Sequence, residues 1–320
     1  MARSQMYPIH RFSTWQVWPG SYDNPPISEY YPFPERSDFA IDNTTPIASM
    51  GSCFAREIRK RLIKKGYNYI QEERDHPASV HASAAWERTY SIFSMRQIFE
   101  YTFGSFDPII RWWISPETQT VQDPFRRVVL YDNLKQARKD FKQHISFSRK
   151  ALTKARVIIL TLGMTEVWED QEDQTVICVP AGPYVNEGGD MDRYRFRVTR
   201  YLENLENLER IHTLLHLHNP ECKILITVSP VQLWATFRTD LDVISASCNS
   251  KSTLRAVADV FASDHDNVSY FPAYEMAILH SVIMGKNPFA DGKENFHVSK
   301  ETVDHIMEQF FTFYAGKNSL

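Results

Sequence analysis

The amino-acid sequence predicts an α/β fold, a three-layer α/β/α arrangement built on a mostly parallel sheet. Two observations carry that prediction. Uniformly apolar, β-branched-rich runs of strand length occur at Val157–Leu162 (VIILTL) and at residues 224–228 (ILITV). Amphipathic stretches of helical period alternate with them. Strands covered on both faces read as continuous apolar runs, and strand–helix alternation is the signature of parallel crossover units.

Taken in order, residues 1–42 are rich in Pro, Tyr, Trp and Ser and read as an extended arm that packs on a domain. Residues 43–320 read as one α/β domain. Within it, residues 47–50 form a short buried strand and Gly51 a turn. Residues 54–65 form a helix with Phe54, Ile58, Leu62 and Ile63 on one face, and Gly66 ends it. Residues 67–70 resemble a second strand. Helices follow over 95–103 and over Leu134–Lys154, then the VIILTL strand. Residues 178–185 form an irregular segment closed by Gly188-Gly189. A long helix covers 194–218, a strand 224–228, a helix 251–261, a short strand 268–271 and a final helix Lys300–Tyr314.

Composition narrows the function classes. The formal net charge of −3 and the absence of a basic tail argue against general attraction to nucleic acid or an anionic membrane. No apolar run approaches the ~20 residues a membrane-spanning helix needs. Arg3 has no apolar segment behind it of the kind a secretory signal carries, so the expected location is cytoplasmic. The four cysteines (Cys53, Cys178, Cys222, Cys248) are widely spaced with no CxxC pair, which suits reduced thiols better than disulfides or zinc. His212 and His216 stand at i, i+4 but lack the acid a zinc-protease helix places between them. No metal and no cofactor are expected.

In parallel sheets, ligands bind where loops leave the C-terminal strand ends. Three polar clusters sit at such places: Gly51-Ser52-Cys53, Gly163-Met164-Thr165-Glu166 and Glu294-Asn295-Phe296-His297. At a strand-to-helix turn, Ser52 suits a helix N-cap, the commoner use, and also a nucleophile with helix N–H groups nearby. Cys53 is a rival nucleophile, although no basic residue precedes it and Arg56 follows on the helix. Glu294 and the alternative acid Asp291 are both close enough in sequence to orient His297. Glu166 reads either as a solvated strand end or as a group that orients the Ser52 loop. Lys251 and Arg255 read either as a solvated helix face or as a basic edge for an anionic substrate part.

The string Gly51-Ser52-Cys53-Phe54-Ala55 resembles the signature of the GSCFA family, a bacterial group similar to SGNH/GDSL-type esterases. The resemblance continues through Tyr90-Ser91-Ile92-Phe93, Thr161-Leu162-Gly163-Met164-Thr165-Glu166, Ile226-Thr227-Val228-Ser229-Pro230, Ser250-Lys251-Ser252, Tyr270-Phe271-Pro272 and Phe296-His297-Val298-Ser299. It spans roughly residues 46 to 315 and implies an SGNH-hydrolase-like, flavodoxin-like fold. It casts Ser52 as nucleophile, His297 as base and Glu294 as the acid where the group has aspartate. Gly163 and Thr165 then stand where the group has Gly-x-Asn-Asp, whose asparagine donates to the oxyanion. This implies the Thr165 hydroxyl and the Ser52 N–H as oxyanion donors, with Gly163 and Glu166 in support, and the second-block glycine has no clear counterpart. The activity implied is deacylation of a carbohydrate or lipid-like hydroxyl, the substrate being a small-molecule or glycan acyl ester. An O-acyltransferase using an acyl-CoA-type donor and a catalytically silent binding protein are the alternatives.

Overall fold

A computed structural model describes residues 12–21, 24–27, 39–126, 129–178 and 189–314. The chain divides into two compact units, one of residues 43–272 and one of residues 1–42 with 273–320. Much of the expected N-terminal arm and of the irregular segment after Cys178 lies outside the described residues.

The larger unit is built on a parallel sheet of four strands, β1 (Ile47–Gly51), β5 (Val157–Leu162), β9 (Lys223–Val228) and β10 (Val268–Tyr270), in the order β1-β5-β9-β10. Every residue of β1 and β5 is buried, and all of β9 except Lys223. Both faces are therefore covered, as the unbroken apolar runs require. The register aligns Gly51 with Thr161 and Thr161 with Thr227. The segments following β1, β5 and β9 consequently emerge at one edge of the sheet.

The helices are α1 (Cys53–Lys64), α2 (Ile92–Phe103), α3 (Leu134–Lys154), α4 (Tyr201–His218) and α5 (Val243–Asp264). α1 buries Phe54, Ala55, Ile58 and Leu62, whereas Ile63, expected on the same face, is exposed. α5 begins eight residues before Lys251, where Asp242 caps it by accepting from the N–H groups of Ile244 (2.9 Å) and Ser245 (3.1 Å).

Two small antiparallel sheets complete this unit. One joins β2 (Trp113–Ile114), β3 (Val121–Gln122) and β4 (Leu130–Tyr131). The other orders β7 (Val176–Ile177), β6 (Glu166–Asp170) and β8 (Tyr194–Val198). The second sheet corrects the expected helix over 194–218, because its first part is β8. Alternation of Tyr194, Phe196 and Val198 with Arg195 and Arg197 is a strand period, and both arginines pair with Glu169 of β6 at 2.8 and 2.5 Å. The expected strand at 67–70 shrinks to a single bridge between Tyr69 and Ile47.

The smaller unit contains α6 (Ala273–Glu275), a π-helical turn (Met276–His280), α7 (Ser281–Ile283) and α8 (Lys300–Tyr314). α8 buries Val303, Ile306, Met307, Phe310, Phe313 and Tyr314. The Ile41 N–H donates to the Tyr314 carbonyl (2.7 Å), and Phe39 meets the Tyr314 ring edge-on at 5.9 Å. The end of the N-terminal segment is thereby fixed to the last helix.

Candidate active site

β1 delivers Ser52 to the sheet edge through Gly51, whose φ of +145° lies in the region that favours glycine. A Cβ at Gly51 would also stand 2.4 Å from the Thr161 carbonyl oxygen, so backbone packing excludes any other residue. Ser52 then opens α1 at the N-cap position, but its hydroxyl makes no capping bond. Its Oγ is buried and has no hydrogen-bond partner among the described residues. Orphaned buried hydroxyls are few in folded proteins and ask for a reason, and the Thr89 and Thr161 hydroxyls beside Gly51 are likewise buried with no partner among the described residues. The Ser52 N–H, one expected oxyanion donor, is directed at the Thr161 carbonyl at 3.4 Å.

Gly163, directly after β5, packs against this turn. A Cβ there would fall 2.6 Å from the Tyr90 carbonyl oxygen and 3.2 Å from Ser52 Cβ. The Gly163 and Met164 N–H groups both donate to that carbonyl (3.2 and 2.9 Å), and the Thr89 N–H donates to Gly51 O at 2.9 Å. Three segments therefore interlock at the sheet edge: 51–53, 89–91 and 163–165. Tyr90 occupies a place that sequence reasoning left empty. Its hydroxyl lies 3.9 Å from Cys53 Sγ.

Thr165 is buried, and both its N–H (2.8 Å) and its hydroxyl (3.2 Å) donate to Ser250 Oγ of α5. Its carbonyl accepts from the Thr199 N–H (2.8 Å) and hydroxyl (3.0 Å). Thr199 in turn lines a surface cleft of about 620 Å³ together with Phe196, Arg200, Phe237 and Arg238. Glu166 is half-buried and accepts from the Thr236 hydroxyl at 2.5 Å. Desolvation raises its pKa in spite of that bond.

Lys251 departs from its expected place on a basic, solvated face. It is 2% exposed, and its Nζ donates to the Gly163 carbonyl at 2.6 Å. Burial brings its pKa down to about 7, against a small opposing effect of Cys53. Arg88 also lies within electrostatic reach of Cys53. The fold thus supplies Cys53 with basic neighbours that are absent from its own stretch of chain.

His297, Glu294 and Asp291 belong to the smaller unit. The His297 Nδ1 stands 3.8 Å from a Glu294 carboxylate oxygen, and the His297 N–H donates to the Glu294 carbonyl at 2.8 Å. Glu294 is exposed at its carboxylate. Asp291 precedes the 3₁₀ turn Gly292–Glu294 without a side-chain capping bond. Among the described residues no group of three or more His, Cys, Asp and Glu is placed to hold a metal. No described helix is long and apolar enough to cross a membrane.

The chain matches the GSCFA family over residues 46–310, the span that contains every motif of the candidate site. It belongs to the GSCFA family. No curated protein matches it. Among solved structures, this GSCFA protein is similar to a carbohydrate esterase family 3 protein from Talaromyces cellulolyticus. The two share 10% identity, with 83% of this chain and 94% of that one covered at a TM-score of 0.38. It is also similar to a Streptococcus pneumonia protein described as a platelet activating factor. That match has 14% identity and a TM-score of 0.30, and covers 50% of this chain and 60% of the other.

Proposed function

We propose that this GSCFA protein is a serine-dependent acyl hydrolase that removes an acyl group from a carbohydrate or lipid-like hydroxyl. The observation that carries the reading is the Ser52 hydroxyl, buried at the mouth of a parallel sheet with neither a capping bond nor another partner among the described residues. A serine serving only as an N-cap would spend that oxygen on the first turn of α1. With no side-chain oxygen capping it, the N-terminus of α1 turns its positive dipole end towards developing negative charge.

In the proposed reaction, Ser52 Oγ attacks the ester carbonyl while His297 accepts its proton. Glu294 lies on the Nδ1 side of His297, leaving Nε2 for that transfer. The tetrahedral oxyanion forms against the positive end of the α1 dipole, with Gly163, Thr165 and Glu166 in the neighbouring loop as supporting residues. Its collapse breaks the ester bond, and the alcohol leaves with the proton from His297. Water then attacks the acyl-serine, giving its proton to His297, and Ser52 recovers a proton as the carboxylic acid departs.

One observation favours a second reading. Arg88 and Lys251 lie within electrostatic reach of Cys53, which is how a reactive thiolate is stabilised. A fluorophosphonate probe and a panel of nitrophenyl and acetyl-glycan esters separate the two. The expected result is labelling and hydrolysis lost in Ser52→Ala and largely kept in Cys53→Ala. Iodoacetamide inactivation abolished only by Cys53→Ala, with Ser52→Ala still active, would move the nucleophile to the thiol.

A further inference from the structure

We propose that Lys251 is a positioning residue for the reaction at Ser52, holding the Gly163–Met164 peptide against Tyr90 so that the loop beside the nucleophile cannot move. The proposal rests on the serine reading above and adds a role that lies outside the nucleophile, base and acid. Its core is one chain of contacts. Lys251 Nζ donates to the Gly163 carbonyl at 2.6 Å, and the N–H of the same peptide unit, that of Met164, donates to the Tyr90 carbonyl at 2.9 Å. A cation on the oxygen end of a peptide polarises it and strengthens the bond its N–H donates. Gly163 has no side chain with which to brace itself, because a Cβ would collide with Tyr90 and crowd Ser52. The brace has to come from outside the loop, and α5 provides it.

The burial of Lys251 makes a purely structural role a poor explanation. Removing an ammonium from water is expensive, and among the described residues Lys251 has a single carbonyl partner and no carboxylate. An apolar side chain of similar length would fill the same space without that penalty. The neighbouring Ser250 points the same way, since its hydroxyl accepts both donors of Thr165. Two consecutive residues of α5 therefore fix the loop after β5, one by its carbonyl and one by its N–H. Cys53, at the start of α1, is the titratable group that acts on Lys251, and Arg88 faces Cys53 from the segment before Tyr90. Burial leaves the ammonium close to its titration point at neutral pH, so the brace weakens in mildly alkaline solution.

The test uses the full-length protein with Lys251→Met and Lys251→Ala, alongside Ser52→Ala. Hydrogen exchange at the amide of Met164 reads the brace without reference to activity, and it should quicken at least tenfold in Lys251→Met. Ester hydrolysis should show kcat down 10- to 100-fold with KM within threefold. Propylammonium should restore Lys251→Ala, while propanol should not. The wild-type rate should decline above about pH 7, and that decline should persist in Cys53→Ala but vanish in Lys251→Met. Unchanged exchange at Met164 together with unchanged kcat in Lys251→Met would overturn the proposal. So would an activity loss that accompanies general unfolding and that no amine rescues. Full activity in Ser52→Ala, with faster exchange in Lys251→Met, would instead sink the serine reading and leave the brace standing.

Discussion

Replacing Gly163 by alanine tests the interlocked loops most directly. The new methyl would sit 2.6 Å from the Tyr90 carbonyl oxygen, 3.3 Å from its carbon and 3.2 Å from Ser52 Cβ. Two of those atoms are backbone, so no rotamer change relieves the contact. Restoring ordinary van der Waals separation from the oxygen needs roughly 0.8 Å of movement. The Gly163–Tyr90 hydrogen bond, already 3.2 Å, would then be lost, and the Met164 bond at 2.9 Å would be strained. Overpacking of about 1–3 kcal/mol, with about 1 kcal/mol for each of the two weakened bonds, gives a destabilisation of roughly 3–5 kcal/mol. For a domain of this size that lowers Tm by about 5–15 °C. A shift of this size beside a nucleophile also reduces kcat/KM by about 100-fold. The assays are a thermal melt followed by circular dichroism and hydrolysis of a nitrophenyl ester. Gly104→Ala is the control, because that glycine has positive φ but nothing within 4 Å of a Cβ, so it should lose stability and keep activity. A Gly163→Ala protein within 2 °C of wild type and within threefold in kcat/KM would refute the close packing of these segments.

Two further predictions concern pH and buried charge. The Asp123 carboxyl is fully buried, which raises its pKa, but Arg111 and Arg126 more than offset this and hold it well below the usual carboxylate range. Its stabilising contribution is therefore present above the unfolded carboxylate pKa and lost as pH falls through the folded one. Asp123→Asn takes the carboxylate from Arg111 and leaves Arg126 with Asp140 alone; it should cost about 3–5 kcal/mol at pH 7 and flatten the acid limb of a Tm–pH curve. His144 is buried, and its pKa is brought down to about 4 by desolvation, with Arg126 adding to the effect and Glu73 opposing it. The unfolded chain therefore takes up a proton that the folded one refuses, and stability falls as pH drops from 6.5 towards 4. His144→Gln should remove the part of that slope lying in this window. A slope unchanged in urea titrations at pH 6.5, 5.5 and 4.5 would show that His144 does not titrate on unfolding.

What could be read from the sequence followed period and local chemistry. The VIILTL strand and the helices Leu134–Lys154 and Lys300–Tyr314 coincide with the observed bounds because each has a pure period and clear ends. β8 was hidden inside an apparent helix because Arg195 and Arg197 look like a solvated face until Glu169, 26 and 28 residues away, is placed opposite them. The first turns of α5, from Val243 to Ser250, lie outside the helix expected at 251–261, although Asp242 is an ordinary cap. At the site, Ser52 and Gly163 were legible from their motifs, and the structure packs them together. Tyr90, Ser250 and Lys251 were not, because their roles arise from contacts across 37, 85 and 88 positions. The Lys251 side chain illustrates the limit best. A charge in a helical stretch points outward by default, and only the tertiary fold turns it inward.

The order of strands in the sheet has a consequence for the birth of this protein on the ribosome. Among the described residues β1 pairs in ladder fashion with β5 alone, and β5 begins at Val157, about 110 residues after Ile47. At translation speeds of about 5–20 residues per second, the five buried residues of β1 wait roughly 5–20 s for the strand that covers their hydrogen-bonding edge. During that interval the nascent chain carries an apolar, unpaired strand followed by α1, a combination that attracts chaperones and other nascent chains. Slow codons before Val157 would lengthen the exposure, and a truncated product ending short of Leu162 would never bury it.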